Sequence, residues 1–172
     1  MKQEFSRVPP RLYVDNSIYF ITFVTYERRP LLHKKQIPDF LKLEFTFYKE
    51  KYLKDLIAFA ILPDHIHLLV EIEKAENISR FLMAFKRFIS IKIRDFLRLD
   101  PGPVWQRGTM DHVIRDEDDY NGHLNYIFWN SQKHLNMAPK HYPHHNFKDF
   151  VKNGYYSLDW GNYGNYDIDG RE

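Results

Sequence analysis

Residues 55–72 read DLIAFAILPDHIHLLVEI, and this stretch constrains the fold more than any other in the chain. Two apolar runs flank Pro63-Asp64, a pattern that admits little besides a β-hairpin. Proline presets one turn dihedral, and aspartate tolerates turn geometry. The spacing predicts a strand over 55–62 and another over 65–72. A two-stranded hairpin is marginal in water by itself, so the remaining chain must supply further strands and helices to cover it.

That cover is visible. Residues 17–26, SIYFITFVTY, form a β-branched and aromatic strand ended by Arg28-Arg29-Pro30. Residues 36–52 place Ile37, Phe40, Leu41, Phe45 and Tyr48 at helical spacing. Residues 78–98 repeat Ile78, Phe81, Leu82, Phe85, Phe88, Ile89, Ile93 and Phe96 three or four apart, a strong amphipathic helix. Pro101-Gly102-Pro103 breaks it, and Val104 to Arg115 is a fourth extended segment interrupted by Gly108. Asp116 can N-cap a helix reaching about His134, with Glu117, Asp118 and Asp119 at its positive end. Pro139 and Pro143 mark a loop, and a short helix is expected near 147–152.

The order β-α-β-β-α-β plus a terminal helix specifies an α+β fold. It is the ferredoxin-like split βαβ sandwich, an antiparallel sheet with helices on one face. With 172 residues the chain has room for one such domain. The expected organisation is a basic N-terminal arm over 1–13, a catalytic domain over 14–145, and a tail over 146–172 packed on it.

The absence of cysteine excludes a disulfide framework, a thiolate nucleophile and any Cys-based metal site. Nine histidines leave imidazole ligands available. The N-terminus has no signal-peptide pattern, and the longest apolar run, Leu56 to Leu62, is far short of a membrane span. A soluble cytoplasmic protein without a membrane partner is expected.

His65 and His67 alternate with Ile66 on a strand, so both imidazoles share one sheet face and can reach one ion. Chance alone gives about half a His-x-His in such a chain, so the motif is weak by itself. Two strand histidines at a solvated face fit the same spacing. On the terminal helix, Tyr126 and Asn130 are i and i+4 and share a face. Tyr126 offers a phenol nucleophile at the boundary of the packed and open faces, and Asn130 an amide oxygen ligand. With 12 tyrosines in the chain, packing is the ordinary role for any one of them.

The net charge of +2 conceals an asymmetry. Residues 80–98 hold Arg80, Lys86, Arg87, Lys92, Arg94 and Arg98 against Asp95, whereas 111–119 hold four aspartates and a glutamate against Arg115. The basic helix reads as a solvated face or as a phosphate track extended by Arg28, Arg29 and the arm. Lys86, Arg87, Lys92 and Arg94 are candidates for backbone contacts, and Arg7, Arg11 and Tyr13 for base contacts.

ILPDHIHLLVEI and PVWQRGTMDHVIRDEDDYNGHLNYIFWNSQKHL, in this order, resemble the single-tyrosine HUH transposases of insertion-sequence type. The resemblance extends through PPRLYVDNSIYFITFVTYERRPLL and FVKNGYYSLDWG and is strongest to the REP-associated tyrosine branch. It implies the ferredoxin-like fold derived above. It also implies His65 and His67 as metal ligands, Asn130 as the amide ligand and Tyr126 as nucleophile. The family often carries proline after this asparagine, where this chain has Ser131.

The implied reaction is cleavage and rejoining of single-stranded hairpin DNA through a 5′-phosphotyrosine, with a divalent metal, Mg²⁺ or Mn²⁺. Imidazole ligands by themselves would favour Mn²⁺ or Zn²⁺. The implied partner is hairpin DNA of palindromic repeats, engaged by a monomer rather than a homodimer. Three rival readings share these residues. They are a domesticated binder that never cuts, a different HUH nickase, and a metal-dependent hydrolase that would survive Tyr126→Phe.

Overall fold

The computed structural model describes residues 13–161. Arg7 and Arg11 of the basic arm lie outside the described residues, as does the tail beyond 161. Four strands, β1 (Ser17–Val24), β2 (Asp55–Ile61), β3 (His65–Ile72) and β4 (Met110–Val113), form one antiparallel sheet in the order β2-β3-β1-β4. The helices α1 (Ile37–Tyr52) and α2 (Ala75–Leu97) make the two crossovers. This is the split βαβ topology read from the sequence. The helices α3 (Glu117–Leu135) and α4 (Phe147–Lys152) follow.

Strand alternation sorts the side chains into two cores. Tyr19, Ile21, Phe23, Ile66, Leu68, Val70 and Ile72 face α1 and α2, meeting Leu41, Phe45, Phe81, Phe85 and Ile89. Phe20, Ala58, Ala60 and Leu69 face the opposite way, against Leu124, Ile127 and Phe128 of α3 and Phe147 of α4. The crossover helices therefore cover one face, as expected, and the terminal helix covers the other. Small Ala58 and Ala60 leave room for α3 beside β2. Each fully buried Leu, Ile or Phe side chain contributes about 1.5–3 kcal/mol.

The register places the chemistry. β1 pairs with β3 from Ser17↔Ile72 to Val24↔His65, so Thr22 lies opposite His67. β4 pairs with the other edge of β1 from Tyr19↔Val113 to Thr22↔Met110. The fourth strand is shorter than the extended segment expected over 104–115. Val104 and Trp105 turn into the first core instead, and Gly108 adopts φ 84°, open to glycine but strained for other residues.

Both ends of α3 follow local rules. The Asp116 carboxylate accepts from the Asp119 amide at 2.8 Å, the N-cap read from the sequence. Asn136 ends the helix in the left-handed region at φ 50°. No helix among the described residues is long and apolar enough to cross a membrane.

Candidate active site

His65 and His67 project from β3 toward α3 and are nearly inaccessible to solvent. Each ring is anchored through Nδ1. His65 Nδ1 donates to Asp64 Oδ1 at 2.6 Å, and His67 Nδ1 lies 2.9 Å from Thr22 Oγ1. That division leaves both Nε2 atoms turned to the same space. His67 Nε2 is buried and makes no protein hydrogen bond of ordinary geometry. Burial, with the nearby His65 and His134 rings, holds the His67 pKa well below the usual imidazole range, although the Asn130 amide opposes the shift. A neutral imidazole with an available lone pair is the form that binds a cation.

Asn130 completes the convergence. Its Nδ2 donates to the Tyr126 carbonyl at 2.7 Å, which turns Oδ1 toward the histidines, 3.5 Å from His65 Nε2. With Nδ1 protonated on His65, that contact sets two electron-pair donors face to face without a proton between them. Together with His67 Nε2 they are a donor set suited to a divalent ion. The Asp64 carboxylate fixes the tautomer and orientation of His65, and the Thr22 hydroxyl, which can donate or accept, fixes the orientation of the His67 ring. Burial alone would raise the Asp64 pKa, but His65 and Arg28 outweigh it and the carboxyl titrates below its ordinary range.

Tyr126 packs against this group, its ring edge-on to His67 with centroids 5.1 Å apart. The sequence reading put Tyr126 at the boundary of packed and open faces. The structure corrects this, because only 4% of Tyr126 is exposed. Phe20 meets its ring at 5.9 Å, and Lys133 Nζ stands 5.4 Å from the ring centroid. Thr22, Arg28, His65, His67, Tyr126 and His134 line a small cleft of about 50 Å³, room for an ion or a water. A much larger cavity of about 830 Å³ lies elsewhere, between α3 and α4, and its Asp55, Glu117 and Asp149 would repel phosphate.

Sequence reasoning missed Thr22, Asp64, Lys133 and His134. His134 is one turn beyond Asn130 on the same helix face, and its ring lies 5.0 Å from His65. That i+4 spacing was the available signal.

The basic residues divide. Arg28 borders the site and pairs with Asp64 at 3.2 Å. Lys86 and Arg94 donate to carbonyls of Gln106 and Gly102 and hold the 98–109 loop against α2, while Arg29, after β1, donates to the Pro103 carbonyl from the other side. Lys92 lies over the Phe88 ring, and Arg87 lines a groove with Phe47 and Ile91, both on the sheet face away from Tyr126. Tyr13 packs against Tyr19 at 5.7 Å.

Comparisons with known proteins bear on the family and the fold. The family described as IS200-like transposase matches residues 13–110. A Haemophilus influenzae protein named as a REP-associated tyrosine transposase is 32% identical over 171 residues, covering 92% of this chain and 94% of that one. The REP-associated tyrosine transposase of Escherichia coli is 25% identical over 154 residues, covering 87% and 88%. A solved REP-associated tyrosine transposase bound to a REP hairpin superposes with a TM-score of 0.73 at 24% identity, covering 91% of this chain and 90% of that chain.

Proposed function

Because this chain belongs to the IS200-like transposase family, we propose that it cleaves and rejoins single-stranded DNA through a covalent bond to Tyr126, with His65, His67 and Asn130 holding a divalent ion. The observation that carries this reading is the meeting of His67 and Tyr126 at 5.1 Å beside three convergent electron-pair donors. The chemistry supplied there by bound Mg²⁺ or Mn²⁺ is Lewis-acid polarisation of a phosphoryl oxygen.

The chain's own residues do the rest. The Tyr126 oxygen attacks phosphorus as its proton passes to solvent, and the departing 3′ oxygen takes up a proton from solvent in exchange. A phosphorus–oxygen bond forms to tyrosine while the bond to the 3′ oxygen breaks, leaving a 3′-hydroxyl and a 5′-phosphotyrosine. The exchange conserves one phosphodiester, so attack by another 3′-hydroxyl rejoins DNA without ATP. Placement of Tyr126 on a capped, well-packed helix supplies the orientation that speeds such a displacement.

Residues 14–145 form the catalytic unit in this reading, with residues 146–161 packed on it. The substrate is a hairpin of palindromic repeat DNA, in keeping with the REP hairpin bound by the structurally similar transposase. In this reading one copy acts alone, supported by the nearness of histidines, amide and tyrosine within one chain. Arg28 is the cation best placed to hold a phosphate, because its exposed ion pair with Asp64 is readily exchanged.

Labelled hairpin DNA incubated with the protein, with and without Mg²⁺ or Mn²⁺, tests the proposal on a denaturing gel. The expected result is a slow covalent band that needs the ion and is lost in Tyr126→Phe and His65→Ala. Cleavage persisting in Tyr126→Phe would overturn it in favour of a hydrolase. Binding without cleavage under every condition would favour the non-cutting binder.

A further inference from the structure

A second group of ligating side chains lies outside the site just described. His112 on β4, with Asp119 and His123 on α3, brings three donor atoms within 4.8 Å of one another. His112 Nε2 is 2.8 Å from Asp119 Oδ2, and His123 Nδ1 is 3.0 Å from Asp119 Oδ1. The two imidazoles stack at 4.9 Å with an interplanar angle of 19°. Asp119 and His123 are both buried, an unusual position for a carboxylate.

We propose that His112, Asp119 and His123 form a second transition-metal site, of the zinc class, that ties the edge strand β4 to the first turns of the tyrosine helix. Two imidazoles and a carboxylate are a common ligand set for Zn²⁺. Tetrahedral coordination at about 2.0–2.1 Å sets neighbouring donors roughly 3.3 Å apart. The two His–Asp separations lie slightly inside that value and the three donors lie within 4.8 Å of one another, so the ion enters by a small rearrangement of the cluster. It displaces the proton between His112 Nε2 and the carboxylate, and the one that His123 Nδ1 donates to the Asp119 backbone carbonyl at 2.8 Å beside the carboxylate.

A fourth position is available. The cluster faces a cavity of about 220 Å³, shared with Phe20, Met110, Asp111 and Arg115, with room for a water or an incoming donor. Arg115 donates twice to Asp119 Oδ2, from its backbone amide at 3.1 Å and from Nε at 3.2 Å; the largely exposed side chain can swing aside, while the amide stays and fixes the carboxylate.

The site is separate from the first. Phe20 stands between them, its ring 5.2 Å from His67 on one side and 4.6 Å from His123 on the other. Loading one site therefore need not load the other.

The test uses the whole chain, stripped of metal, dialysed against ZnCl₂ and measured by elemental mass spectrometry. In a His65→Asn/His67→Asn background the expected content is about one zinc per chain, falling to about none when His112→Asn is added. A background that binds no zinc, or zinc content unchanged by His112→Asn, would overturn the proposal. His112 sits on the sheet edge and is partly exposed, so its substitution spares the core. If the background chain does not fold, the wild-type chain and His112→Asn alone are loaded with Co²⁺. Loss of part of the visible absorption supports the site, and identical spectra contradict it.

Discussion

The imidazole of His67 and the phenol of Tyr126 stand edge to face, with ring centroids 5.1 Å apart, although one belongs to a central strand and the other to the terminal helix. Three features of the fold produce that meeting. Strand alternation turns His65 and His67 to one face, the Asp116 cap starts α3 beside β4, and Ala58 and Ala60 admit α3 onto the sheet.

The groups behind the histidines make the first case. Asp64 and Thr22 hold the Nδ1 atoms, so Asp64→Asn and Thr22→Val should each weaken Mn²⁺ binding by roughly 10–100-fold. Calorimetric titration of the folded variants measures this directly. Unchanged affinity in both would show that the ring orientations do not matter.

Arg28 is expected to contact phosphate, whereas Lys92 lies on the far layer over Phe88. Arg28→Ala should lower the slope of log K against log salt by about 0.7 for hairpin DNA. Lys92→Ala should leave the slope unaltered. The reverse ordering would move the DNA track onto α2.

Acid should destabilise the fold through His145. Burial, the dominant cause, pushes its pKa down to about 4, and only 8% of the residue is exposed, among the rings of Phe128, Tyr142 and Phe147. An unfolded histidine takes its proton near pH 6.5, so the unfolded state binds more protons between pH 6.5 and 4. Stability therefore falls as pH drops through that window, by roughly 3 kcal/mol from this group, and levels off below it. Urea unfolding across the window should show the decline, and His145→Phe should shrink it.

Phe128 joins α3 to α4, packing on Phe147 at 5.4 Å and Phe150 at 5.0 Å while fully buried. Phe128→Ala should cost about 3–5 kcal/mol in unfolding free energy. A loss below about 1 kcal/mol would show that this second core contributes little to holding the tyrosine helix.

Much of this was legible in the sequence because it is local. The hairpin, the periodic stripe of α2, the Asp116 cap and the short helix at 147–152 each follow from residues near one another. His65, His67, Tyr126 and Asn130 could be nominated by spacing on their own elements and by family resemblance. The burial of Tyr126 was not legible, since it depends on Phe20, His67 and Lys133 arriving from elsewhere. Asp119 was read as a helix-end charge, and only the β4–α3 connection brings His112 and His123 onto it. Lys86 and Arg94 looked like free cations, yet the loop they hold is placed by Trp105 turning into the core.

The central claim is a covalent bond between DNA and one tyrosine among twelve. Its most direct measurement is mass spectrometry of the protein after reaction with hairpin DNA, nuclease trimming and proteolysis. The account predicts a nucleotide mass on the peptide containing Tyr126, present only when Mg²⁺ or Mn²⁺ was supplied. A nucleotide adduct on any other tyrosine, or cleaved DNA with no adduct on the protein, would contradict it.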